Sequence, residues 1–180
     1  MMDKILVTYA SRTGTTAGVA EVIGRVLADG GASVDVRPME AVADISVYTA
    51  VVAGSAIQAA GWLPEALRFV QANRSQLLSR PFAAFMVCMT LAMHDNRYEN
   101  EVSKWLQPVR ELVPPVSEGY FAGALDISKV PSLKARLNFR ASVLLKVWSE
   151  GDHRDWEAIA AWAERLRPLL AQDFVVEFDA

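Results

Sequence analysis

Residues 4–16 read Lys4-Ile5-Leu6-Val7-Thr8-Tyr9-Ala10-Ser11-Arg12-Thr13-Gly14-Thr15-Thr16, an apolar run that gives way to a hydroxyl-rich one. Lys4 to Tyr9 is short, mostly apolar and carries the β-branched residues Ile5, Val7 and Thr8, the pattern of a buried strand. The polar cluster from Ser11 to Thr16 ends it. From Thr15 to Ala28 the apolar residues Val19, Val22, Ile23, Val26 and Leu27 fall three and four apart, and Asp29-Gly30-Gly31 supplies a stop, so an amphipathic helix follows. The turn places the hydroxyls of Ser11, Thr13, Thr15 and Thr16 and the glycine Gly14 between a strand and a helix N-terminus. Hydroxyl donors, free N–H groups and a positive helix end suit a phosphate. Ser and Thr are equally common as plain helix caps. The run is neither Gly-x-Gly-x-x-Gly nor Gly-x-x-x-x-Gly-Lys-Ser/Thr, so a dinucleotide fingerprint or a nucleoside triphosphate loop is not indicated.

Downstream, strands and helices alternate. Ala32 to Arg37 alternates apolar and polar as an edge strand does, and Val47 to Ala53 is apolar apart from Thr49, as suits a central parallel strand. A helix is predicted over Leu63 to Leu78, opened by Pro64, then a strand over Phe82 to Met89 and a helix over Glu99 to Leu112, kinked near Pro108. Gly119 to Leu125 is the last core strand. A final helix over Asp155 to Leu170 places Trp156, Ile159, Trp162, Ala163 and Leu166 on one face, and Val175 to Phe178 is a short added strand. Parallel connections need crossovers of about a dozen residues, so this rhythm implies a doubly wound α/β sheet of five parallel strands, order 2-1-3-4-5. Ligands of such sheets bind beyond the carboxyl ends of the strands at the switch point, which singles out the loops after the first, third and fourth strands.

Composition narrows the chemistry. The 180 residues suit a single domain, 1–180, with an insertion at about 127–150, and 52% hydrophobic content supports a packed core. A net charge of −3 gives no general field for nucleic acid. One cysteine, Cys88, and two histidines, His94 and His153, exclude an intramolecular disulfide and make a metal site of the usual kind unexpected. No apolar run reaches about 18 residues, so a soluble, cytoplasmic protein is expected. Any redox chemistry then belongs to a bound organic cofactor.

The stretch from Val7 to Thr16, followed by Ala20 and Ile23, resembles the N-terminal FMN-phosphate signature of the flavodoxin family, with Thr8 standing where an apolar residue is usual. The resemblance implies a flavodoxin-like fold and FMN as cofactor, with Ser11, Arg12, Thr13, Gly14, Thr15 and Thr16 around the phosphate. It also assigns Gly54 to Trp62 to one side of the flavin ring. There Gly54, Ser55 and Ala56 are small enough for close approach and Ile57 or Trp62 supplies apolar cover, unless Trp62 simply packs against the next helix. Met89, Thr90 and Leu91, followed by Ala92, Met93 and His94, fall on the other side. His94 is a candidate donor to a flavin carbonyl or a solvated loop residue, and Asp126 fixes a nearby loop or serves as a turn residue. Cys88, inside an apolar strand, is expected to be an inert core thiol.

Ile127 to Ser149 contains Lys129, Lys134, Arg136, Arg140 and Lys146 and no acid, +5 against −8 for the remainder. Leu133, Leu137, Ala141, Leu144 and Trp148 recur at helical spacing after Pro131, giving a basic amphipathic helix. Such a helix lies on an anionic membrane, covers an apolar substrate, or packs on the sheet with its cations in water. Simple electron-carrying flavodoxins usually lack it. With Ser11-Arg12-Thr13-Gly14, Gly123-Ala124-Leu125 and Asp155-Trp156-Glu157, the chain is most similar in pattern to the flavodoxin-type, menaquinone-dependent protoporphyrinogen dehydrogenases. That resemblance implies an oxidoreductase passing electrons from a porphyrinogen through FMN to a quinone, and the basic helix itself makes peripheral membrane contact through Pro131 to Trp148 one of the expectations. No catalytic acid or base is visible. The alternatives are an electron carrier between protein partners and a flavin-free binding module of the same fold.

Overall fold

A computed structural model describes residues 4–93, 99–130, 132–145 and 149–171. In chain order the elements are β1 (Lys4–Ala10), α1 (Thr15–Asp29), β2 (Ser33–Pro38), β3 (Ala50–Gln58), β4 (Gly61–Trp62), α2 (Pro64–Ala72), α3 (Arg74–Leu77), β5 (Phe82–Cys88), α4 (Glu99–Lys104), α5 (Gln107–Leu112), β6 (Ser117–Ala122), β7 (Ala124–Leu125), α6 (Leu133–Leu144), β8 (Gly151–Asp152) and α7 (Trp156–Leu170). The main sheet runs β2-β1-β3-β5-β6, every neighbouring pair parallel. Counting principal strands, this is the expected 2-1-3-4-5 order.

Alternation of side chains along β1 sorts its residues into two layers. Ile5 and Val7 join α1 and α7, where Val19, Ile23, Phe85, Phe121, Ile159 and Trp162 are buried. Leu6 and Ala10 join the opposite layer under α2 to α5, with Trp62, Leu63, Phe69, Met86 and Leu106. Gly24 lets α1 approach β2, since a Cβ there would stand 2.3 Å from Val36 Cγ2. Arg167 Nη2 of α7 donates to Val26 O near the end of α1 at 2.5 Å, and Trp162 Nε1 donates to Ser117 Oγ at 3.1 Å, which ties α7 to both α1 and β6.

Several boundaries differ from the sequence pattern for local reasons. The helix expected over 63–78 breaks at Asn73, whose side chain donates to Phe69 O at 2.9 Å and whose backbone leaves the helical region. The helix expected over 99–112 breaks at Trp105–Leu106, because Pro108, in the first turn of α5, has no N–H for the carbonyl four residues back. The last core strand starts at Ser117 and ends at Ala122. Ala124 and Leu125 then leave the sheet as β7 and pair antiparallel with β8. The third strand runs on through Gln58 and turns at Ala59-Ala60 into β4, so the expected loop is largely a β-hairpin. His94, Pro131, Trp148 and the strand expected at 175–178 lie outside the described residues.

Helix α6, capped by the Ser132 hydroxyl, which accepts from Ala135 N, has no buried residue. The 3₁₀ turn Ile127–Lys129 precedes it, and buried Ile127 and Val130 anchor its start. The expected helix is present, but its apolar stripe is not packed on the sheet.

Candidate functional site

Loop 11–14 leaves the carboxyl end of β1 at its border with β3, the crevice where β2 and β3 run off to opposite sides. Gly14 closes the turn with φ +84°, a conformation that disfavours side chains, and no atom would oppose a Cβ there. Gly14 N donates to Ser11 Oγ at 3.0 Å, and the Thr13 and Thr15 hydroxyls lie 3.2 Å apart. At its N-cap α1 has no side-chain hydrogen bond. Its first-turn N–H groups therefore have no intrahelical acceptor and no side chain at the cap position to supply one. Thr16, fully buried in that first turn, carries a hydroxyl without a partner. Unsatisfied first-turn donors, a buried orphan hydroxyl and a positive helix end together fit a phosphate ester.

Charge around this loop is arranged by residues remote in sequence. Arg12 is held by Glu65, at the start of α2, through Nη1–Oε1 at 2.5 Å and Nη2–Oε2 at 3.1 Å. Its guanidinium is thus committed to pinning the loop to α2. Behind the loop, Arg154 Nη1 donates to Thr15 O at 3.2 Å, pairs with Asp152 at 2.6 Å and lies 4.3 Å from the centre of the Trp156 ring. The Asp152 carboxyl is held below the usual range chiefly by hydrogen bonds from Arg154. A cavity of about 310 Å³ opens beside the loop, lined among others by Tyr9, Ser11, Gly14, Met39, Glu40 and Glu65. Sequence reading missed Glu40, Glu65 and Arg154, which carry no local motif and reach the loop only through folding.

The second loop is more occupied than its small residues suggest. Phe85 fills the space over Gly54, where a Cβ would stand 2.0 Å from the ring. Gly54 therefore serves core packing in place of the cofactor approach expected of it. The buried Ser55 hydroxyl accepts from Leu63 N at 3.0 Å and donates to Ala56 O at 2.8 Å, so it holds the hairpin. Trp62 is only 3% exposed and belongs to the core under α2, the packing alternative, with an indole N–H that has no partner. Ala56 and Ile57 are the half-buried apolar residues left on this rim. At the hairpin tip Ala59 and Ala60 both take positive φ, 50° and 58°.

After β5 a 3₁₀ turn, Met89–Met93, brings Met89, Thr90 and Leu91 half-buried to the same end of the sheet. Burial pushes the Cys88 thiol up, against a smaller opposing effect of the Leu91 and Thr90 backbone. A buried thiol kept protonated is a packing group. Asp126 accepts from Ser128 N at 3.0 Å and starts the turn leading to α6, its turn-residue role.

Comparison with known proteins gives one family model: the flavodoxin domain, matched over residues 6–144. Among solved structures the chain is similar to a flavodoxin from the domain Archaea, at 15% identity and TM-score 0.57 over 94% of this chain and 99% of that one. It is similar to a single-residue variant of flavodoxin from Pseudomonas aeruginosa at 16% identity and TM-score 0.56, with 94% and 99% covered. Oxidised Flavodoxin 2 from Bacillus cereus shares 23% identity at TM-score 0.51, with 79% and 99% covered. No curated protein matches the sequence.

Proposed function

The chain belongs to the flavodoxin domain family, whose cofactor is FMN, and we propose that it is an oxidoreductase that uses FMN to pass electrons from a porphyrinogen-like substrate to a quinone. The observation that carries this reading is the acid-free segment 127–149, with α6 joined by the 3₁₀ turn to the carboxyl end of the sheet. A carrier between protein partners would gain from an acidic rim there, whereas a basic and apolar one suits a large apolar substrate with carboxylates.

In this reading the hydroxyls of Ser11, Thr13, Thr15 and Thr16 and the first-turn N–H groups of α1 hold the phosphate. Gly14 lets the backbone wrap it, while Glu65 draws the Arg12 guanidinium into an ion pair. Ala56 and Ile57 flank the ring on one side and Met89, Thr90 and Leu91 on the other, while Trp62 backs the hairpin from the core. When bound, FMN supplies hydride acceptance and electron return. The substrate loses a hydride and a proton, and the quinone takes up two electrons and two protons. Because long-chain quinones reside in lipid, the reading also places the protein peripherally at a membrane. The second reading, a carrier between proteins, draws on Glu40 and Glu65, which line the cavity beside the loop.

An anaerobic absorption titration tests both. Bound FMN that protoporphyrinogen bleaches and a menaquinone analogue restores is the expected result. Bound FMN indifferent to both would leave the carrier, and absence of FMN binding would reduce the likeness to one of fold.

A further inference from the structure

At the root of the insertion is a two-strand ribbon, in which Ala124 of β7 faces Asp152 of β8 and Gly123 O accepts from His153 N at 3.1 Å. The next residue, Arg154, reaches from this ribbon to the first turn of α1, 139 residues away in the chain. Its guanidinium is fixed on three sides. Nε and Nη2 donate to the two Asp152 oxygens at 2.8 and 2.6 Å, Cζ stands 4.3 Å from the centre of the Trp156 ring, and Nη1 is left to donate to Thr15 O at 3.2 Å. The side chain is only 17% exposed. The facing surface of α1 admits it through Gly18, where a Cβ would stand 2.7 Å from Arg154 Nη1. No positive φ requires glycine at that position, and glycine inside a helix is less favourable than alanine. What the glycine provides is the seat for Arg154.

The turn held in this way is the one whose N–H groups lack a side-chain cap and whose buried Thr16 hydroxyl lacks a partner. Such donors hold a phosphate only if they converge on one point, and an uncapped first turn is the part of a helix that frays. Arg12, the loop's own cation, is engaged with Glu65. We propose that Arg154 is a positioning residue for the cofactor phosphate, setting the first turn of α1 so that Thr15, Thr16 and the neighbouring N–H groups meet the phosphate together. The root of the insertion is thereby part of the cofactor site. Asp152 balances the charge of Arg154, so the effect comes through placement of the turn. This inference rests on the phosphate-loop assignment in the reading above and is independent of the electron donor and acceptor.

The test is titration of the full chain with FMN and with riboflavin, which has the same ring and no phosphate, followed by flavin fluorescence, with urea unfolding of the flavin-free protein alongside. The unaltered chain should bind FMN more tightly than riboflavin. Arg154→Ala should weaken FMN about tenfold, the scale of one hydrogen bond from a charged group, and leave riboflavin within about twofold. Gly18→Ala keeps the arginine and improves the helix, so it should weaken FMN while the urea midpoint holds or rises. A contact that served only the fold would instead lower both flavin affinities together with stability. Unchanged FMN affinity in both variants would overturn the proposal, as would equal losses of FMN and riboflavin, or riboflavin bound as tightly as FMN by the unaltered chain. None of these titrations contains a porphyrinogen or a quinone, so the redox reading and this one can each fail alone.

Discussion

Two hydroxyls with one chemistry and different surroundings separate binding from folding at the residue scale. Thr8 and Thr16 are both fully buried and both without a hydrogen-bond partner. Replacing such a hydroxyl by a methyl relieves an unsatisfied polar group worth about 1–3 kcal/mol. Thr8→Val and Thr16→Val should therefore both raise urea stability of the FMN-free protein, while Thr16→Val alone weakens FMN affinity, about tenfold or more by flavin fluorescence titration. Equal affinities for the two variants would remove Thr16 from the phosphate site. Glu65→Gln tests the loop charge: releasing Arg12 from its partner and removing a carboxylate near a phosphate should tighten FMN a few-fold, by the ~0.2–1 kcal/mol of an exposed ion pair. Looser FMN binding would mean that pinning the loop matters more than its net charge. Ser11 to Thr16 were legible in the sequence because a strand, a turn and a helix start are contiguous. Glu65 was not, since 53 residues separate it from Arg12 and only the packing of α2 beside β1 joins them.

At the scale of elements, the hairpin between β3 and β4 is where local preference and tertiary demand conflict. Its two tip residues, Ala59 and Ala60, adopt a left-handed conformation that costs an L-residue roughly 1–2 kcal/mol. Ala60→Gly is expected to raise stability by about 1 kcal/mol in urea unfolding, with the hairpin kept. A loss of stability would show that the alanine methyl makes a contact outweighing the strain. A glycine at the tip would have announced the turn; two alanines look like a continuing strand or a helix, so the sequence supplied a loop there without its form. Helix α7 shows the opposite case. Asp155, expected near the helix start, caps it by accepting from Ala158 N at 2.9 Å, and Asp155→Ala should lower stability by about 1 kcal/mol in the same assay.

For the whole molecule, acid should act through carboxylates tied into the fold. Arg110 donates to Glu118 at 2.6 and 2.7 Å and to the Tyr120 hydroxyl at 2.8 Å, and also to Ser103 O at 2.9 Å, clamping α5 on the edge strand β6. Hydrogen bonds from Arg110 hold the Glu118 carboxyl below its ordinary range, against the opposing effect of burial. The folded state thus takes up this proton less readily than the unfolded one. The stabilisation is complete above the ordinary glutamate range and is lost as pH falls through the lowered folded value. Urea midpoints measured against pH should fall on acidification, and Glu118→Gln should start lower near neutrality and fall less; an identical slope would exclude Glu118 from the acid response. The alternation of strands and helices, the parallel order of the sheet and the hydroxyl-rich loop after its first strand are legible in the chain alone, because periodicity, stop signals and contiguous motifs are properties of neighbouring residues. Long-range packing settles that Trp62 belongs to the core, that Phe85 covers Gly54, that Arg12 is held by Glu65 and that the leucines of α6 face outward. A helical stripe has the same spacing whichever way it points, and its direction is set by what the remainder of the chain leaves for it to touch.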